Sequence, residues 1–228
     1  MKKFLALILT IVTALSFATF LSACNDNNNP PPKGPQGTAG LIYTFDNRGA
    51  TLVSCIDVAE GTTEIVIPKT VKNETNGQTY NVIAIGENVF NVNENDIPFT
   101  SFTLPETLQE IKGYAFAGVT CESITLPASL KIIEIGAFEG ANINSIVFKN
   151  TSGWMYHAVP FSQIQQDGIR LDHPIVNIDI ANASVAADFL TTVDADFDYS
   201  EACEGTVTPT PVAGKQPTGL AGLTIYKK

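Results

Sequence analysis

A phrase returns along the middle of the chain at a fixed spacing of 22 residues: Leu104-Pro105-x-x-Leu108-x-x-Ile111-x-x-x-Ala115-Phe116 recurs as Leu126-Pro127-x-x-Leu130-x-x-Ile133-x-x-x-Ala137-Phe138. A looser copy precedes it in Ile67-Pro68, Ile85, Val89 and Phe90. A half copy follows, because Ser145-Ile146-Val147-Phe148 lies 22 residues after Ser123-Ile124-Thr125-Leu126. A period of this size means stacked units, each too small to bury its own apolar face. A stack of this kind usually binds along a surface, so function is to be sought there before in a catalytic pocket.

Each unit opens on a short strand, and the strands align in columns. Period-two alternation buries Ile65, Phe102, Ile124 and Ile146, and with them Ile67, Leu104, Leu126 and Phe148. The alternate columns, Glu64/Ser101/Ser123/Ser145 and Val66/Thr103/Thr125/Val147, point outward and form the candidate partner-binding face, expected as one continuous sheet. Proline ends three of these strands, since it cannot donate to a ladder. On the return path Leu108, Ile111, Ala115 and Phe116 line the interior with their copies, and Phe90, Phe116 and Phe138 are expected to stack as a spine. Alternating stretches around Asp46-Asn47-Arg48-Gly49 predict a hairpin over the first open end, and Asn76-Gly77 a second hairpin within 72–80. After Asn150 the repeat stops. Val176–Ile180 reads as a strand, Asn182–Val193 as a short helix, Asp194–Tyr199 as alternating again, 204–222 as a loop, and Leu223–Tyr226 as a last strand.

The chain starts with Lys2-Lys3, the apolar stretch Phe4–Leu21, and then Leu21-Ser22-Ala23-Cys24. A basic start, an apolar run and small residues make an export signal. Leu-Ser-Ala-Cys resembles the lipobox of bacterial lipoproteins, which implies that the Cys24 sulfur takes the lipid. The alternative is an uncleaved transmembrane anchor, which has no need of a cysteine there. Removing 1–23 leaves 11 basic against 23 acidic residues, a net charge of −12. That sign repels nucleic acid and anionic lipid, so membrane attachment must come from the lipid anchor. The organisation that follows is a lipoprotein signal peptide at 1–23, a flexible Asn-, Pro- and Gly-rich tether at 24–40, an N-terminal cap with repeats at 41–150, and a C-terminal capping unit at 151–228. Localisation is then the cell envelope, at the outer membrane or cell surface. With Cys24 lipidated, Cys55, Cys121 and Cys203 remain without metal-ligand spacing. Cys121 occupies the column of Phe99 and Ile143 and reads as a small buried hydrophobe.

The repeat resembles the BspA-type leucine-rich repeats of bacterial surface proteins, whose unit reads I-P-x-x-(L/V)-x-x-I-x-x-A-F with an optional extra residue. Ile67-Pro68, Leu104-Pro105-Glu106-Thr107-Leu108, Leu126-Pro127-Ala128-Ser129-Leu130, Ile85-Gly86-Glu87-Asn88-Val89-Phe90 and the two Ala-Phe pairs carry the likeness. The 154–199 stretch resembles a closing unit of that family. The resemblance implies a mostly β, α+β fold: a short leucine-rich-repeat solenoid with an N-terminal hairpin cap and a C-terminal α+β capping unit. It implies a non-catalytic lipid-anchored surface protein that mediates protein binding or adhesion. The array is short, and 201–223 looks like an insertion into the final unit.

No catalytic constellation, cofactor motif or metal motif stands out, and the chain is read as no enzyme. His157 and His173 lie in no H-x-x-x-H pattern, and no G-x-S-x-G elbow or phosphate loop is present. Asp194, Asp196, Asp198 and Glu201 suggest calcium, but Tyr199 stands where an EF-hand loop needs glycine. Trp154 and Tyr156 belong to an aromatic cluster with His157 and Phe161. Exposed, it would stack on a sugar or anchor a protein; buried, it plugs the last repeat, as a stack end requires. The partner is therefore an unidentified protein, or in the alternative of a carbohydrate-binding accessory lipoprotein, a glycan.

Overall fold

The computed structural model describes residues 37–92, 99–157, 173–174, 179–192, 221 and 224–227. In chain order the elements are β1 (Ile42–Phe45), β2 (Ala50–Ser54), β3 (Glu64–Val66), β4 (Thr70–Lys72), β5 (Thr79–Ile85), β6 (Ser101–Thr103), β7 (Glu110–Ile111), β8 (Thr120–Leu126), β9 (Ile132–Ile133), β10 (Asn142–Phe148), β11 (Trp154–His157), β12 (His173–Pro174), helix α1 (Ala183–Thr191) and β13 (Thr224–Lys227). Among the described residues the fold is mostly β with one short helix, built from repeats.

Each repeat gives one strand to either side of a common core. On the first side β3 pairs in parallel with β6, and β8 with β10. The register places Glu64 opposite Ser101 and Thr125 opposite Val147, and Cys121 opposite Ile143, as the sequence columns require. The face is not one continuous ladder, however. β6 and β8 are neighbours without a shared ladder. The break coincides with Phe102, whose ring stands edge-on to Phe116 where the next strands carry isoleucine.

The second side was not foreseen as a sheet. The return paths form a parallel ladder, β2-β5-β7-β9, in which Ile85, Ile111 and Ile133 lie in register. β13 then joins β9 in antiparallel fashion, with Ile225 opposite Ile133, and β11 and β12 follow. The strand expected at 223–226 is thus β13, and its pairing extends the ladder beyond its last parallel strand.

Phenylalanine columns fill the space between the sides. Phe90, Phe116 and Phe138 stack with centroids 5.2 Å apart at each step, the second pair at 7°. The backbone repeats the same step: Phe90 N–H donates to the Ala115 carbonyl at 2.8 Å, and Phe116 N–H to the Ala137 carbonyl at 2.7 Å. Ala115 and Ala137, next to the rings in sequence, are buried with them. Leu108, Ile111, Leu126, Leu130 and Ile146 are fully buried as expected. Leu104 is only half-buried: β6 ends at Thr103, whereas β8 continues to Leu126 and carries that side chain inward.

The ends of the repeats follow local chemistry. Asp46 Oδ1 accepts from the Arg48 and Gly49 N–H groups at 2.8 and 3.0 Å and closes the β1–β2 turn. Gly77, with φ of +72°, closes the β4–β5 hairpin predicted from Asn76-Gly77. Asn182 caps α1 by accepting from Ser184 N–H. The buried face of α1, Ala186, Ala187, Phe189 and Leu190, shares the core with Ile143, Ile146 and Phe148 of β10. Ile180 lies in the turn before the helix, while 176–178, 194–199 and most of 204–222 fall outside the described residues, as does Cys203. Cys55 and Cys121 carry free, buried thiols.

Removing the ring at the centre of the spine tests this account. Phe116→Ala should cost about 3–5 kcal/mol, a large part of a typical domain's stability. Phe116→Leu, which keeps most of the volume, should cost less. Equilibrium denaturation in urea reads both, and equal losses would show that the stacked ring, and not the volume leucine keeps, carries the stabilisation.

Candidate interaction face

The alternation that buries Ile65, Phe102, Ile124 and Ile146 turns their neighbours to solvent. Glu64, Thr103, Ser123, Thr125 and Val147 are exposed, and Val66, Ser101 and Ser145 are half-buried. Val147, at 39 % exposure, is the largest apolar side chain presented there. The structure therefore brings together all eight residues of the two outward columns, on two adjacent pairs of strands. Polar contacts flank them: Asn144 Nδ2 donates to Glu122 at 3.2 Å, and Lys149 pairs with Glu106 across the repeats. Small hydroxyls lacking an aromatic or arginine anchor make a weak contact surface, since hot spots concentrate in Trp, Tyr and Arg.

One edge of this face is closed by Thr38. Its N–H donates to the Val66 carbonyl at 2.8 Å, and its hydroxyl oxygen accepts from Val66 N–H at 2.8 Å. Residues 37–40, at the end of the stretch read as a tether, thus cover β3. An exposed strand edge is a template for unwanted pairing, and one threonine removes the free donor and acceptor of Val66.

Trp154 and Tyr156 are not on the surface. They are 4 % and 5 % exposed. Trp154 Nε1 donates to the Asn150 carbonyl at 3.0 Å, and the ring stands edge-on to Phe148 at 5.4 Å. The Lys227 ammonium lies 5.1 Å from the ring centroid, and burial holds its pKa below the usual lysine value. A cation over an indole face replaces part of the hydration it loses. These aromatics close the core beyond β10 and are unavailable to a ligand. Backbone pairing puts His173 opposite Tyr156 and His157 opposite Thr224. Among the described residues no three His, Cys, Asp or Glu side chains come close enough to hold a metal. The acidic run 194–201 and the lipidation candidate Cys24 lie outside the described residues.

The return side carries features that the column reading passed over. Asn88, Tyr114 and Gly136 occupy one column, and all three are left-handed, with φ of 58°, 56° and 70°. The Tyr114 ring covers Gly136 so closely that a Cβ there would lie 2.4 Å from it. Two further columns, Asn81/Thr107/Ser129 and Ile83/Gln109/Lys131, line a groove of ≈ 240 Å³. The signal was present in the sequence, because Thr107 to Ser129 and Gln109 to Lys131 are the same 22-residue step. Nearby, half-buried Glu134 accepts from Gly113 N–H at 3.1 Å. Desolvation raises its pKa, with Glu110 and Glu87 adding to the rise and the Gly113 bond and Lys112 opposing it.

The comparisons with known proteins agree with the repeat. The family model for the BspA type leucine rich repeat region (6 copies) matches residues 83–165. No curated protein matches the chain. Among solved structures, a leucine-rich repeat protein from Bacteroides capillosus ATCC 29799 is similar at 26 % identity, over 49 % of this chain and 95 % of that one, with a TM-score of 0.37. A second, from Bacteroides ovatus ATCC 8483, is similar at 18 % identity, over 48 % of this chain and 36 % of that one, with a TM-score of 0.33.

Glu134 gives a signed pH test. A folded carboxyl whose pKa lies above its unfolded value binds its proton more tightly when folded, so its charged form lowers stability at neutral pH. Glu134→Gln keeps the acceptor for Gly113 and removes the charge. It should raise Tm slightly at neutral pH, and the gain should vanish as pH falls to about 4, near the ordinary glutamate value. A difference independent of pH would assign the effect to packing.

Proposed function

We propose that the chain, whose residues 83–165 match the BspA type leucine rich repeat model, is a non-catalytic protein-binding module held at the cell surface by a lipid on Cys24. Repeats of this family point to a protein-interaction role, are typically non-catalytic and are often surface-exposed. The finer reading is an adhesin-like lipoprotein: a short solenoid with its first end covered by the 41–54 hairpin and its last by the 151–228 unit, carried on the tether that follows Cys24. The observation that carries it is the pair of outward columns from Glu64 to Val147, eight outward-facing positions on two registered strand pairs over a buried apolar core.

A face of small hydroxyls gives weak single-copy binding. Many copies tethered to one membrane raise the effective concentration and supply avidity. The net charge of −12 after loss of 1–23 favours a neutral or basic protein partner over nucleic acid. Sugar recognition through Trp154 is not part of the proposal, since that ring is buried.

Two experiments separate the parts of this reading. Thr103→Lys with Thr125→Lys should change stability by less than about 0.5 kcal/mol, as exposed substitutions do, yet abolish capture of the partner found by pull-down with the wild-type protein. A folded double variant with undiminished capture would remove the strand face as the binding surface. Cys24→Ala should abolish metabolic lipid labelling and shift the protein out of the detergent phase. Retention of both residues 1–23 and membrane partitioning would show a spanning anchor instead.

A further inference from the structure

The groove on the return side has a chemistry of its own. It crosses three repeats, lined by Asn81 and Ile83 on β5, Thr107 and Gln109 before β7, and Ser129 and Lys131 before β9. Its donors and acceptors are unevenly committed. Thr107 donates its hydroxyl proton to the Val82 carbonyl at 2.7 Å, and Ser129 to the Leu108 carbonyl at 2.6 Å. Thr107 also lies 3.2 Å from the Lys69 carbonyl, and with their protons committed both hydroxyl oxygens are left as acceptors only. The ladder is also used up, with Gln109 N–H on the Ile83 carbonyl at 2.7 Å and Lys131 N–H on the Gln109 carbonyl at 2.8 Å. The Asn81 and Gln109 side-chain amides and the Lys131 ammonium bond to no side chain or backbone group among the described residues. No carboxylate lines the groove, and the adjacent Glu110 is drawn away to Arg48 at 2.8 Å.

We propose that this groove binds an acidic sugar, with a uronate carboxylate on Lys131 and ring hydroxyls on Asn81, Gln109, Thr107 and Ser129. The hydroxyl oxygens of Thr107 and Ser129 need a ligand that donates, and the two amides need one that both donates and accepts; sugar hydroxyls do both. Lys131, the one charged residue lining the groove, selects an anionic group at one end, a short-range contact that acts against the chain's net negative charge. Buried Ile83 supplies an apolar patch for the C–H face of a ring. A volume of ≈ 240 Å³ is below the roughly 300–1,000 Å³ of drug-sized pockets and fits a ring or two of a longer chain. An extended peptide is disfavoured, because strand addition needs free ladder groups and these are spent. The site is separate from the strand face and does not depend on it.

Titration calorimetry with the full mature chain tests the assignment, using oligomers of galacturonate, glucuronate and mannuronate, a neutral oligogalactose and a poly-glutamate peptide. At least one uronate oligomer should bind saturably, more weakly as salt rises, with no binding of the neutral oligomer. Lys131→Ala should weaken it about 10-fold or more, as loss of a charged hydrogen bond does; Gln109→Ala should weaken it several-fold, and Lys131→Arg should retain most of it. Lys131 is exposed, so an unchanged Tm certifies folding. Thr103→Lys with Thr125→Lys should leave the sugar affinity unchanged, whatever it does to protein capture. Failure of all three uronates, equal binding of the neutral oligomer, undiminished binding by Lys131→Ala, or equal binding of poly-glutamate would each overturn the proposal.

Discussion

Everything else in this protein depends on the step by which one repeat hands its core to the next. The Phe116 ring lies nearly parallel to Phe138 at 5.2 Å, while its backbone N–H reaches the carbonyl of Ala137. Neither contact exists within a single unit. A unit of 22 residues has too little apolar surface to offset its chain entropy, so it is ordered only by its neighbours. Stacking and hydrogen bonding share one spacing here, and each fixes the register the other needs.

That shared geometry also sets dihedral angles irrespective of residue type. The column of Asn88, Tyr114 and Gly136 is left-handed throughout. Asparagine and glycine adopt that region readily, while for tyrosine it is costly. Tyr114 keeps it because the turn before Ala115 and Phe116 must repeat its neighbours. Gly136 in turn leaves room for the Tyr114 ring. One unfavourable residue is thus held in place by the contacts of two adjacent repeats.

The two sides of the stack present different chemistry from the same periodicity. On the strand side the outward columns are small and mostly neutral, and Thr38 seals the edge of β3. Such a surface suits broad, weak contact multiplied by copy number. The return side combines amides, hydroxyl oxygens and an ammonium in a narrow groove. It suits a small polar ligand. A repeat protein can hold both because its core is internal and continuous, leaving either side free to vary.

The 22-residue phrase was enough, by itself, to place Leu108, Ile111, Phe116 and Leu126 inside and Ser123, Thr125 and Val147 outside, and to foresee the phenylalanine spine. Period and alternation are local properties, and burial follows from them directly. The hairpins at 46–49 and 76–77 and the helix after Asn182 were legible for the same reason, since turn and cap chemistry lie within a few residues. Only the tertiary structure decided what distant segments do. It paired β13 with β9, placed Lys227 over the Trp154 ring, set Thr38 on the edge of β3, and left β6 and β8 without a shared ladder. None of these has a sequence signature, because each depends on which chain arrives at an open edge or an uncovered core, and that is settled by space left after the repeats have packed.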